Sequence, residues 1–197
     1  MQPGPPGDFG AFYTGTPPWE IGRPQPAFLA LVDEGAIRGR VLDVGCGTGE
    51  HALMAAALGL DATGIDSTAA AIARAEAKAR ERGLAARFLV WNALGLSALG
   101  ETFDTVLDSG LFHVFSDDDR RLFVDSLRAV IPPGGRYFML CFSDRQPGQF
   151  GPRRITQDEI RASFGEGWRI DSIEAAKFAV RSDLNETLAW FARITRL

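Results

Sequence analysis

The sequence predicts an α/β fold built on a doubly wound, mostly parallel sheet. Three observations carry this. Apolar runs alternate with helical runs along most of the chain. The first apolar run passes into the glycine-rich stretch VLDVGCGTGE (41–50). A later run, RYFMLCFS (136–143), is apolar almost throughout, as a central strand buried on both faces requires. A length of 197 residues suits one domain with a full hydrophobic core.

The N-terminus, MQPGPPGDFG, is rich in Pro and Gly and lacks the features of a secretory signal, so residues 1–16 are expected to form a flexible segment. Residues 17–197 then make a single domain. RVLDV (40–44) and DATGI (61–65) read as buried strands, separated by a short helix over 50–58. A longer alanine-rich helix spans 68–82, with Ser67 as its cap and Gly83 as its stop. ARFLVW (86–91) and FDTVLD (103–108) are two more strands. In the helix that follows, Ser116 and Asp119 have capping-box spacing, and Phe123, Leu127 and Ile131 form one apolar stripe. Pro132, Pro133, Gly134 and Gly135 stop it. After the strand at 136–143, Thr156 and Glu159 cap another helix, which Gly165 ends. WRIDSIEA (168–175) and ETLAWFARITRL (186–197) close the fold as a pair of strands.

The net charge of −4 argues against a general nucleic-acid binder, which needs a basic face. No apolar run approaches the roughly 20 residues that span a bilayer. Two cysteines and two histidines, without metal-site spacing, argue against a structural metal and for reduced thiols in a cytoplasmic protein.

The glycine loop follows the first strand, which places it in the crevice where a doubly wound sheet binds ligands. No Lys-Ser/Thr pair follows Gly49, so the loop is not a Walker phosphate loop. Gly45, Gly47 and Gly49 are spaced G-x-G-x-G rather than the dinucleotide G-x-G-x-x-G, and Glu50 at the helix start would repel a pyrophosphate. A phosphate-free adenosine ligand fits better. Asp66 ends the second strand, where a carboxylate can accept hydrogen bonds from a ribose diol, and Asn92 ends the third, where an amide can meet adenine.

These residues resemble a known family. D-x-G-C-G-T-G-E after the first strand and G-I-D after the second are similar to the class I methyltransferases that use S-adenosyl-L-methionine (SAM) and release S-adenosyl-L-homocysteine. The resemblance covers roughly residues 19–175 and implies a Rossmann-like, seven-stranded sheet with an antiparallel last strand. It implies that Asp43, Gly45 and Gly47 line the methionine part of SAM, with Cys46 and Gly49 in the same loop. Asp66 and Ser67 would sit at the ribose, Asn92 and Ala93 beside adenine, and Asp108 at the end of the fourth strand. The family commonly has Asp where Asn92 stands. PPWEIGRPQP (17–26) and VLDSGLFHVF (106–115) narrow the resemblance to the thiopurine-methyltransferase-like branch, close to mycobacterial-type enzymes that methylate heterocyclic phenols. In that branch Trp19, with Gly22 beside it, would pack over the cofactor, where an aromatic face suits a sulfonium.

The residues after the fourth strand carry neither the [DN]-P-P-[YFW] run of base methylation nor the paired glutamates of arginine methylation. A small aromatic or heterocyclic acceptor is therefore expected, methylated at a hydroxyl, with thiol or nitrogen methylation and SAM binding without catalysis as alternatives. His113 is the candidate general base, with Asp108 as the second catalytic residue. Tyr13, Phe112, His113 and Phe150 are candidate acceptor contacts, and SDRQPGQFGP (143–152) reads as a lid. No nucleic acid or membrane is expected as a partner, and the chain would be a monomer or homodimer.

Overall fold

The computed structural model describes residues 9–148, 151–181 and 187–197. Its sheet has seven strands in the order β3-β2-β1-β4-β5-β7-β6. The strands are β1 (Arg40–Val44), β2 (Asp61–Asp66), β3 (Ala86–Val90), β4 (Thr105–Ser109), β5 (Arg136–Phe142), β6 (Trp168–Phe178) and β7 (Thr187–Arg196). The pairs among the first five strands are parallel, and β7 runs antiparallel to both β5 and β6. The predicted doubly wound sheet with one reversed strand is therefore present. Strand order turns back at the β1/β4 pair, so the carboxyl ends of those two strands open the crevice.

Helices α1 (Pro26–Asp33), α2 (Glu50–Ala57), α3 (Ala69–Arg82), α4 (Asp117–Val130) and α5 (Gln157–Ser163) surround the sheet. The Ser116 side chain accepts the Asp119 N–H, and Thr156 with Glu159 completes a reciprocal capping box, as their spacing predicts. Ser67 does not cap α3. That helix starts from Thr68 without a side-chain cap, and Asp66 Oδ1 accepts the Thr68 N–H at 2.8 Å. Helix α1 was not expected from the sequence. Pro26 at its first position supplies the start signal, and Phe28 and Leu31 are fully buried.

Residues 9–14, assigned above to a flexible segment, form a 3-10 helix, and Arg74 of α3 donates to the carbonyls of Tyr13 and Gly15 at 2.6 and 2.9 Å. Apolar burial on both sheet faces explains the continuous run of β5, in which Tyr137, Met139, Leu140 and Cys141 are all fully buried. Within the described residues, no helix is long and apolar enough to cross a membrane.

The turn from β1 to α2 depends on Gly49. Its φ is +85°, and a Cβ there would lie 2.7 Å from the Phe88 ring and 2.9 Å from the Ala75 methyl. Gly49→Ala should therefore destabilise the fold by about 2–4 kcal/mol, through backbone strain and overpacking together. Urea unfolding measures this, and an unchanged midpoint would show that Phe88 yields at no cost.

Candidate active site

The glycine loop, 45–49, runs from the end of β1 to the start of α2 across the mouth of the crevice. Below it, Asp43 is almost fully buried, and its Oδ2 accepts the Ala52 N–H at 3.0 Å. Its Oδ1 is buried with no hydrogen-bond partner. Burial pushes the Asp43 carboxyl up to about 7. His51 faces it, with Nδ1 4.0 Å from Asp43 Oδ1, while His51 Nε2 accepts the Gln25 N–H at 3.1 Å. That acceptor role keeps the proton on Nδ1, and burial lowers the imidazole to about 4. Gly45 faces Leu111, whose Cβ would stand 3.0 Å from a Cβ added at Gly45.

Asp66 closes the far side. Its Oδ2 accepts the Gly47 N–H at 2.9 Å, and each carboxylate oxygen thus holds one backbone donor and keeps a further lone pair. Asn92 is exposed and turns its Oδ1 to the Leu94 N–H at 3.0 Å, capping the turn that contains the buried Ala93. Its side-chain NH2 remains the outward donor. Cys46 is buried among apolar side chains, and burial raises its thiol well above the ordinary value, consistent with a filler rather than a nucleophile.

The N-terminal strap covers the loop. The Tyr13 hydroxyl would lie 3.0 Å from a Cβ on Gly47, and Tyr13 is buried. Trp19 packs 5.0 Å from the Phe12 ring and 6.5 Å from Tyr13. Gly22 adopts φ +70°, and its N–H donates to Glu20 Oε1 at 3.1 Å. Glu20 also accepts the Thr48 hydroxyl. Glu50 does not present the free charge expected to repel a pyrophosphate. Glu50 is paired with Lys78 at 2.6 Å and with both Arg82 terminal nitrogens at 2.8 and 2.9 Å, so its charge is neutralised toward α3. Discrimination against a dinucleotide rests on the glycine spacing.

At the acceptor end the structure redistributes the expected residues. Asp108 is fully buried and turned inward: Oδ1 accepts Leu111 N–H at 2.7 Å, and Oδ2 accepts Phe112 N–H at 3.1 Å and the Tyr137 hydroxyl at 2.6 Å. It organises the turn after β4 instead of facing the crevice. Phe112 likewise belongs to the core, stacked 5.9 Å from Phe164 beneath the Arg120 guanidinium. His113 does face the β4 and β5 ends. Its Nδ1 accepts the Phe142 N–H at 3.0 Å, which leaves the proton on Nε2, and burial lowers the ring to about 3. A general base needs a free lone pair, and in His113 that lone pair is taken by the Phe142 N–H. Its ring lies 5.0 Å from Phe142 and 6.1 Å from Phe178, which are themselves 5.4 Å apart. Phe150 lies outside the described residues. Arg154, two residues beyond the expected lid, donates to the carbonyls of Gln146, Gly148 and Pro152 within it and lies 5.4 Å over the Phe142 ring.

Comparison with known proteins decides the family. Residues 41–135 match the model of a methyltransferase domain. Over 170 residues the chain is 35% identical to the 2-heptyl-1-hydroxyquinolin-4(1H)-one methyltransferase of Mycobacteroides abscessus, covering 85% of this chain and 75% of that protein. The chain belongs to the class I SAM-dependent methyltransferases. It is 29% identical to probable thiol methyltransferase 2 of Arabidopsis thaliana over 65% of this chain and 58% of that one. A solved structure concerned with the conversion of a disulfide bond into a thioacetal group during echinomycin biosynthesis is 40% identical, with a TM-score of 0.86 over 95% of this chain and 88% of that one.

A methyltransferase of small molecules needs a cofactor cradle, and this one fits SAM. The unpartnered, buried Asp43 Oδ1 is an acceptor lacking a donor, which an ammonium would satisfy, and Gly45 and Gly47 leave the backbone bare above it. The residues that sequence reasoning missed are Leu111, Phe142 and Phe178. Phe142 ends β5 and was visible as the last aromatic of an apolar strand. Phe178 reaches the same end because β6 runs parallel to β5 with β7 between them, a topology that local pattern does not encode.

The buried acids and imidazoles oppose one another in their pH dependence. Asp43 and Asp108 both titrate near about 7 in the folded chain against an ordinary 3.8, so the stability tied to them is complete below 3.8 and lost as pH rises through about 7. His51 and His113 are lowered from 6.5, so their neutral burial favours folding above 6.5 and is lost as pH falls toward about 4 and about 3. Across the shared window the two pairs largely offset. Asp43→Asn removes one falling contribution, and should gain on the parent by about 1.4 kcal/mol per pH unit between about 4 and 7. Urea unfolding at several pH values reads this, and a pH-independent difference would mean that Asp43 titrates at its ordinary value.

Proposed function

We propose that the enzyme methylates a hydroxyl on a small aromatic heterocycle, in the cytoplasm, as a monomer or homodimer with no nucleic-acid partner. The observation that carries this reading is His113, held as a neutral donor between Phe142 and Phe178 at the carboxyl ends of β4 and β5. Flat aromatic walls suit a flat acceptor. A donor without a base suits an acceptor that ionises by itself, such as an acidic heterocyclic hydroxyl. The Mycobacteroides relative, named for a hydroxyquinolinone, supports the same class.

When bound, SAM supplies an electrophilic methyl on a sulfonium whose leaving group is a neutral thioether. In this reading Asp43, Gly45, Cys46, Gly47 and Gly49 hold its methionine end, and Asp66 with Ser67 receives the ribose hydroxyls. Asn92 and Ala93 border adenine. Trp19 and Gly22 roof the cofactor, and Tyr13 closes the gap between roof and glycine loop. Asp108 positions Leu111 and Phe112 rather than handling a proton. His113 Nε2–H steadies the acceptor oxyanion, and the aromatic walls exclude water, so orientation and desolvation provide the rate. The 40% identical structure, whose subject is disulfide chemistry, favours a sulfur acceptor as the second reading, because sulfur also needs no base.

The test is turnover of a panel of hydroxyquinolines, simple phenols, aromatic thiols and azoles at saturating SAM, followed by mass spectrometry of the products and of S-adenosylhomocysteine. The hydroxy-heterocycles should turn over best, with kcat/KM tracking the acceptor's own ionisation. His113→Phe should lower kcat/KM roughly 10- to 100-fold below the acceptor pKa, and His113→Gln less, as expected for one hydrogen bond to a charged group. Preferential turnover of thiols would favour the sulfur reading. A kinetic pKa that is the same for every acceptor and disappears in His113→Phe would restore the general base.

A further inference from the structure

Helix α3 carries Arg74, Lys78 and Arg82 at four-residue spacing, on the face turned toward the glycine loop and the strap. Each cation holds a different piece. Arg74 takes the Tyr13 and Gly15 carbonyls, and its guanidinium lies 5.7 Å over the Tyr13 ring. Arg82 takes both oxygens of Glu50. Lys78 stands between them. Its Nζ donates to Thr48 Oγ1 and Glu50 Oε1, both at 2.6 Å, and to Glu20 Oε1 at 3.2 Å. All three ammonium donors are thereby used, one on the strap, one on the glycine loop and one on α2.

We infer that Lys78 is the positioning residue that fastens the strap to the glycine loop, so that strap closure and SAM retention are set through one ammonium. The inference rests on the proposal that Tyr13 and Trp19 roof the SAM site. The side chains of Lys78, Glu20 and Glu50 are only 22%, 14% and 8% exposed, so solvent and salt screen the junction less than a surface pair. The partners are also unequal. Without Lys78, Glu50 retains Arg82, whereas Glu20 retains the Thr48 hydroxyl and the Gly22 N–H but no other ion pair among the described residues. Loss of the ammonium therefore falls on the strap and spares α2.

Hydrogen exchange of the cofactor-free enzyme, together with stopped-flow SAM dissociation, tests this in Lys78→Met, Lys78→Arg and Glu20→Gln. The last variant alters the strap alone, so it reports even where a change in α3 impairs folding. Lys78→Met and Glu20→Gln should each speed exchange over residues 9–22 and SAM dissociation by about tenfold, the scale of a partly buried ion pair, while Lys78→Arg restores most of the loss. Exchange in β1 and α2 should match the parent. Parental strap exchange and SAM dissociation in both neutral variants would overturn the proposal, as would loss of protection in β1 and α2 in step with the strap. The roof is judged separately. If SAM fails to slow strap exchange in the parent enzyme, the roof reading fails, whereas the cofactor-free comparison still judges the Lys78 junction.

Discussion

A single buried carboxylate sets the frame for the rest of the site. Asp43 is the last residue but one of β1 and accepts the Ala52 N–H of α2, closing the turn that presents the glycine loop. Keeping that carboxylate out of water is costly, and the fold tolerates it in part by letting the group remain protonated to about 7. One oxygen is then anchored and the other is left without a donor, directly under a loop with no side chains at Gly45 and Gly47. Folding thus leaves one hydrogen-bonding acceptor of this frame unfilled.

Charge around this frame is kept away from the ligand by pairing. Glu50 stands at the start of α2, where the helix dipole favours it, and its remaining charge is met by Lys78 and Arg82. The same cations reach the strap and the glycine loop, so the electrostatics of a helix start and the covering of the crevice share their residues. At the other end, Asp108 is occupied by two backbone donors and a tyrosine, which leaves the ends of β4 and β5 to aromatic rings and one neutral imidazole. A methyl donor that already carries positive charge is served by such surroundings, since the protein need only align and dry the reacting atoms.

Much of this was legible in the sequence, and the reasons for the remainder are physical. Strand positions, the Ser116 cap, the Thr156–Glu159 capping box and the glycine loop depend on near neighbours in the chain, so Ser116, Thr156 and Gly49 announce themselves. The direction of a side chain in a turn does not. Phe112 and His113 are adjacent, yet one enters the core against Phe164 and the other faces Phe142, because successive side chains of the 3-10 turn Phe112–Val114, anchored by Asp108 at the Phe112 N–H, point in different directions. The order of the strap is hidden from the sequence for a related reason. Its Pro and Gly content speaks for a free chain, while its placement comes from Arg74 and Lys78, some 60 residues further along. Glu50 was read by its charge alone, and its partners lie a full helix away.

The Gln25 side chain joins distant parts of the chain: its amide donates to the Ala179 carbonyl at 2.9 Å and accepts the Ala179 N–H at 2.8 Å, across 154 residues. Pro18 adds a carbonyl to the Arg181 N–H at 2.8 Å. The last strand in chain order, β7, lies inside the sheet between β5 and β6. A nascent chain can therefore wind β1 to β5 early, but β6 gains its partner, and Phe178 its place beside His113, only when β7 has emerged and inserted. The β4 and β5 end of the crevice is thus completed late in synthesis, so a ribosome-bound chain with β1 to β5 already folded would still lack Phe178 beside His113.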